Sequence, residues 1–216
     1  IQATHAGNGN IAMDVQIIAA GNSGIVVQGM GGDIDINHFP ALNLTIPALI
    51  VGQGGRGIDA QSNGGDINYQ GSVAQNAPDR VLSGMSEGFY ARSSGGAVSI
   101  DSISAIVSQA GTAIDIDAGT GNVDVTNVGA VLGDGGNGIS IAGGSGDVSI
   151  QGSGLDTIDV QGNIVSGIAG TNGDGILINP TDGAIRIGNV VSNGNIVGSR
   201  FGIGATSTAA STSGMI

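Results

Sequence analysis

Apolar residues alternate with polar ones in short bursts along this chain, and glycines punctuate the bursts. In residues 138–150, GISIAGGSGDVSI, Gly138 leads into Ile139 and Ile141. Gly146, eight residues on, leads into Val148 and Ile150. Alternation with period two over three to five residues, bounded by glycine, predicts short strands that each bury one face. The unit recurs. Gly24 leads through Ile25 and Val27 to Gly32, Ile34 and Ile36; Gly57 through Ile58 and Ala60 to Gly65, Ile67 and Tyr69. Gly88 leads through Phe89 and Ala91 to Gly96, Val98 and Ile100; Gly175 through Ile176 and Ile178 to Gly183, Ile185 and Ile187. Ala113 replaces the starting glycine once, followed by Ile114, Ile116, Gly121, Val123 and Val125. Partial units stand at both ends: Ile1, Ala3, Gly9, Ile11 and Met13, then Gly202, Ile203 and Ala205.

A third element closes each unit. An aliphatic pair precedes the next start by seven residues at Ile17-Ile18, Ile50-Val51, Val81-Leu82, Ile106-Val107 and Val131-Leu132. The interval is six at Ile196-Val197 and eleven at Ile164-Val165. Length varies mainly between the second and third elements. Three short strands per unit cannot bury anything alone, but coils stacked in register form a continuous aliphatic ladder, which predicts an all-β parallel solenoid. About eight coils at the strand spacing of about 4.8 Å make a rod of roughly 40 Å. Glycine at the corners is expected to supply positive φ and tight bends. A β-sandwich of short strands is the alternative, and it leaves the constant eight-residue interval unexplained. The solenoid is expected over residues 1–203, with 204–216 as an irregular tail or last coil. Both ends stop in mid-pattern and no secretory leader is present, so the chain reads as part of a longer rod.

Composition narrows the possibilities. The 216 residues include 43 Gly without a collagen triplet and only 4 Pro, which excludes a triple helix. An apolar fraction of 40% is too high for a disordered glycine-rich linker. Aromatic residues are only 2%, as a narrow core requires. Seventeen acidic residues against five basic ones, net −12, argue against nucleic acid and anionic lipid as partners. Cysteine is absent, so there is neither a disulfide framework nor a thiolate metal site. No apolar run is long enough to cross a membrane as a helix, so direct lipid insertion is not expected.

Candidate chemistry is sparse. Gly52, Gly54 and Gly57 match a dinucleotide-binding glycine pattern, as does GDGGNG at 133–138, but a strand follows where a helix would have to begin. GGRGID at 54–59 begins like a calcium nonapeptide until Gln61 takes an aliphatic position. Asp33, Asp35 and Asn37 alternate as in a calcium loop, but His38 replaces the turn glycine and Leu44 the closing carboxylate. Asp33, Asp66 and Asp147 share one slot of the repeat, with Asn10 and Asn122 in two other units. Such a row either caps turns through backbone amides or binds an ion or glycan along one face. Arg56, Arg80, Arg92, Arg186 and Arg200 are the only basic residues, Glu87 is the only glutamate, and His5 and His38 are the only histidines. No arrangement suited to polysaccharide hydrolysis or serine protease chemistry emerges, and no cofactor is expected.

The units GIDAQSNGGDINY (57–69), GFYARSSGGAVSI (88–100) and GISIAGGSGDVSI (138–150) resemble the passenger domains of bacterial autotransporters. That resemblance spans nearly the whole chain. It implies a right-handed parallel β-helix, export by type V secretion, and exposure at the bacterial cell surface or outer membrane, or secretion. It implies adhesion to a host-cell or matrix receptor, protein or glycan, or self-association. A structural stalk presenting another domain is the alternative, and a polysaccharide-degrading β-helix enzyme the third reading. Long insertions on a regular scaffold are where binding usually lives. Residues 37–49 carry His38, Phe39, Leu42 and Leu44, and residues 70–80 carry Asp79 and Arg80. These six are the candidate partner-binding residues, although the apolar ones equally suit padding of the rod's flank. Residues 151–163, with Leu155, Asp156 and Asp159, form a third insertion.

Overall fold

The computed structural model describes residues 1–38, 49–71, 81–102, 105–128, 130–143, 145–152, 157–160, 163–188 and 195–207. Among them, 23 strands build a right-handed parallel β-helix without a helix of any kind. One sheet stacks Gln2–His5, Ile25–Gly29, Ile58–Ser62, Phe89–Ser93, Ile114–Asp117, Ile139–Ala142, Ile176–Thr181 and Ile203–Ser207. The second stacks Ile11–Val15, Ile34–His38, Ile67–Gly71, Val98–Asp101, Val123–Val128, Val148–Gly152 and Ile185–Gly188. The third stacks Ile17–Ala20, Leu49–Gly52, Val81–Gly84, Ala105–Ser108, Val131–Gly133, Asn163–Gly170 and Asn195–Gly198. The chain thus completes seven coils and opens an eighth. The strand at Ile203–Ser207 carries that last coil into the segment expected as an irregular tail or last coil.

Register follows the repeat. Ile25, Ile58, Phe89, Ile114, Ile139, Ile176 and Ile203 pair coil by coil, as do Ile11, Ile34, Ile67, Val98, Val123, Val148 and Ile185. In the third sheet the inward row is Ile18, Ile50, Leu82, Ile106, Val131, Ile168 and Ile196. The sixth coil corrects the sequence reading. Ile168-Ala169, not Ile164-Val165, pairs with Val131-Leu132, and Ile168 restores the seven-residue interval to Gly175. Ile164 and Val165 instead pair antiparallel with Asp159 and Ile158, in a hairpin inserted before the coil resumes. Two aliphatic pairs compete for one slot there, and only the stack above and below distinguishes them.

The lumen is one apolar cluster from Val15 to Ile178, with each fully buried isoleucine worth about 1.5–3 kcal/mol. Its two large aromatics, Tyr69 and Phe89, lie in successive coils with ring centroids 5.3 Å apart. The same two coils carry the small Ala60 and Ala91 where the neighbouring coils carry Val27 and Ile116. Volume is therefore conserved level by level, as a close-packed interior demands.

The glycines act by a different mechanism from the one expected. Among the described residues only Gly64 (φ 157°) and Gly119 (φ 56°) are positive-φ glycines. The inner glycine of each unit is required by close approach instead. A Cβ on Gly32, Gly65, Gly96, Gly121, Gly146 or Gly183 would overlap the carbonyl of the preceding inner glycine, starting with Gly9. This backbone-on-backbone stack fixes the eight-residue interval, because a shift of one residue puts a side chain in it. The Gly65→Ala substitution is expected to destabilise the rod by about 3 kcal/mol, the upper end of overpacking costs. Gly21→Ala, at a site with nothing within 4 Å of the added methyl, is expected to change stability by less than about 0.5 kcal/mol. Urea unfolding of the two variants checks this, and equal effects would contradict the stacking account.

Candidate functional site

Of the six sequence candidates, the structure describes His38, and it lies in the core rather than on a contact surface. His38 is 0% exposed, sits at the end of Ile34–His38, and its Nδ1 is 3.0 Å from the Tyr69 hydroxyl. Strand alternation explains the inversion: Ile34, Ile36 and His38 all point inward. Tyr69 gains a partner for its polar tip inside the lumen, which a buried tyrosine needs. Phe39, Leu42, Leu44, Asp79 and Arg80 lie outside the described residues. So do Leu155 and Asp156; Asp159 is in the hairpin strand Thr157–Val160.

The Asp/Asn row at the first corner resolves into a ladder between coils. The Asp33 amide donates to Asn10 Oδ1 (3.0 Å), and the Asp66 amide to Asp33 Oδ1 (3.0 Å). The Ala97 amide donates to Asp66 Oδ1 (2.8 Å). The row resumes with the Asp147 amide on Asn122 Oδ1 (2.9 Å) and the Ala184 amide on Asp147 Oδ1 (2.8 Å). Each side chain caps the next coil rather than its own turn. The Ala184 amide, aided by Arg186, holds the Asp147 carboxyl below its ordinary pKa. A second ladder climbs the corner before the first sheet, where Thr112, Asn137 and Asp174 accept the amides of Asn137, Asp174 and Phe201. It ends on Asp174, 1% exposed, whose carboxylate is gripped by Arg200 through Nε and Nη2 at 2.9 and 2.8 Å. That fork depresses the Asp174 pKa despite its burial.

One charged cluster escaped the sequence reading. Arg56 Nε donates to Glu87 Oε2 at 2.8 Å and Nη1 to Asp59 Oδ2 at 2.9 Å, while the guanidinium lies 3.7 Å from the centroid of the Tyr90 ring. Desolvation alone would lower the Arg56 pKa, but the hydrogen bonds to Glu87 and Asp59 outweigh it and the pKa is raised. Asp115 follows Tyr90 on the same outer row. Alignment of the repeat shows the signal that was available. Arg56 and Glu87 each immediately precede a start glycine, whereas Asp59, Tyr90 and Asp115 each fall two residues after a start. Residues far apart in sequence thereby occupy adjacent rungs. Arg56 bonds one carboxylate of its own coil and one of the next, so the cluster clamps two coils together.

Among the described residues, no group of three or more His, Cys, Asp or Glu is placed to hold a metal ion. Gly52, Gly54 and Gly57 form the corner between Leu49–Gly52 and Ile58–Ser62, with no helix N-terminus to meet a phosphate.

Burial is the main cause that raises the Asp115 pKa. The Glu87 charge adds to it, and the Ser140 hydroxyl and Arg56 offset part of it. A raised folded-state pKa favours folding below the unfolded value of about 3.9, and that benefit is lost as pH rises through the folded value. Ionised Asp115 therefore costs stability at neutral pH. Asp115→Asn is expected to raise the melting temperature at neutral pH and to leave it unchanged near pH 3, where both states are largely protonated. Thermal melts at the two pH values decide it, and a loss of stability at neutral pH would count against the assignment.

Comparisons with protein-family models, with curated proteins and with solved structures find no match to this chain.

Proposed function

We propose that this chain is a β-helical passenger segment of an autotransporter, displayed at the bacterial surface, and that it adheres to a host-cell or matrix receptor through one corner of the rod. The observation that carries the reading is where the length varies. Connections from the first to the second sheet have three to five residues, and those from the third to the first have four or five. Connections from the second to the third run from one residue, Gln16, to the ten residues 39–48. Two corners are locked by glycine stacking and side-chain ladders, and the remaining corner tolerates insertion. Variable loops on a rigid scaffold are the usual carriers of recognition.

The sheet beside that corner differs in composition from the other two. The first two sheets turn mainly polar and acidic residues outward. On the side of the third sheet away from the lumen, Ala105, Val107, Ala130 and Leu132 form a second apolar cluster that is itself buried, at 0–9% exposure, with Ala169 packed against it. Arginines on the described surface are engaged by carboxylates at Asp59, Glu87, Asp117, Asp147 and Asp174.

Replacement of residues 39–48 by a short connection tests the proposal, with His38 retained because it belongs to the core. The expected outcome is an unchanged melting profile with cell and matrix adhesion reduced to background. Full adhesion by the folded variant would overturn the contact role of this insertion and favour a stalk that presents another domain.

A further inference from the structure

We infer that Asn63-Gly64 is a site of spontaneous deamidation and isoaspartate formation, set apart by the fold from the other asparagine-glycine pairs it describes. The reaction needs three things: an exposed asparagine side chain, a following amide nitrogen free to attack, and local backbone freedom to close a five-membered ring. Asn63 is exposed at the tip of the first corner, and among the described residues its side-chain amide makes one weak hydrogen bond, Nδ2 to Met30 Sδ at 3.9 Å. The Gly64 amide donates no hydrogen bond among the described residues. Gly64 has φ 157° and nothing within 4 Å of the position a Cβ would take, so its backbone turns without obstruction.

The glycines of the other pairs are confined, Gly138 through its amide and Gly173 and Gly9 by packing, although the Gly9 and Gly173 amides, like that of Gly64, donate no hydrogen bond among the described residues. At Asn137-Gly138, Asn137 Oδ1 accepts the Asp174 amide at 2.8 Å, and the Asn137 amide donates to Thr112 Oγ1 at 3.3 Å. The attacking nitrogen of Gly138 donates to the Asp174 carbonyl at 3.0 Å. At Asn172-Gly173 the glycine is buried against the Asn137 side chain. At Asn8-Gly9 the glycine carbonyl is the first member of the inner stack, against Gly32.

The chemistry is balanced by water alone. The Gly64 nitrogen, losing its proton, attacks Asn63 Cγ and forms a C–N bond, and the Cγ–Nδ2 bond breaks to release ammonia. Water then opens the resulting succinimide at either carbonyl, giving aspartate or isoaspartate. Either product adds a carboxylate to the corner row that already carries Asp33 and Asp66. Isoaspartate also lengthens the backbone by one carbon at residue 63, two residues before Gly65, where an added Cβ would already overlap the Gly32 carbonyl. Accumulated isoaspartate therefore loosens the third coil.

The test is ageing of the folded chain at mildly alkaline pH, followed by tryptic mapping. Cleavage after Arg56 and Arg80 isolates Asn63 in the peptide 57–80, which holds no other asparagine-glycine pair. Conversion at Asn63 is expected to run roughly tenfold or more ahead of Asn137, where three hydrogen bonds restrain ring closure. An Asn63→Gln variant, which cannot form the five-membered ring, is expected to age without gaining acidic forms of that peptide. Conversion at Asn137, Asn172 or Asn8 as fast as at Asn63 would overturn the inference, as would acidic peptide 57–80 from the glutamine variant.

Discussion

The approach of one glycine backbone to the next, from Gly9 through Gly32, Gly65, Gly96, Gly121 and Gly146 to Gly183, is the constraint on which the rest of the rod depends. Parallel strands stack only while successive coils keep the same spacing and phase. A position where any side chain meets a carbonyl sets that phase at every level. Once it is set, Ile34, Ile67, Val98, Val123 and Val148 fall into one column, and the opposing sheets bring their own columns against it. Burial supplies the driving force and the glycine stack supplies the register.

Polar groups at the corners complete what the glycines begin. A tight corner leaves backbone amides with no strand partner, and unpaired amides are costly where water is displaced. The Asn10–Asp33–Asp66 and Asn122–Asp147 rows answer those amides from the coil before. Ala97 interrupts the first row because it has no acceptor to pass on. The Arg56 clamp, across Glu87 and Asp59 with Tyr90 beneath, does comparable work on the outer face of the first sheet. Much of the net negative charge is thus committed to holding coils together.

How much of this was legible in the sequence depends on whether the signal repeats. The strands, their register and the eight-residue interval recur six times, so they were readable from apolar and glycine positions alone. Ile164-Val165 misled because a single hairpin duplicates an aliphatic pair, and composition cannot say which copy the stack selects. His38 misled because a polar residue in an apolar insertion looks like a contact, when strand parity had already turned it inward to Tyr69. The Arg56 cluster was visible only after the repeat was aligned as a lattice, since Glu87 and Tyr90 lie about a coil away from Arg56 and Asp59 in sequence. The partner-binding candidates beyond His38 belong to the one corner that no repeat constrains, and an irregular segment carries no periodic signal to read.

Amide hydrogen exchange, resolved residue by residue, tests the central claim most directly. Asp66, Ala97, Asp147 and Ala184 have exposed or nearly exposed corner positions, yet each amide is bonded to a side chain of the coil before and sits beside the glycine stack. The account predicts that these amides exchange as slowly as those of Ile67 and Val98 in the adjoining strands. Rapid exchange at the corner, with protection confined to the strands, would contradict it: register would then come from side-chain burial alone.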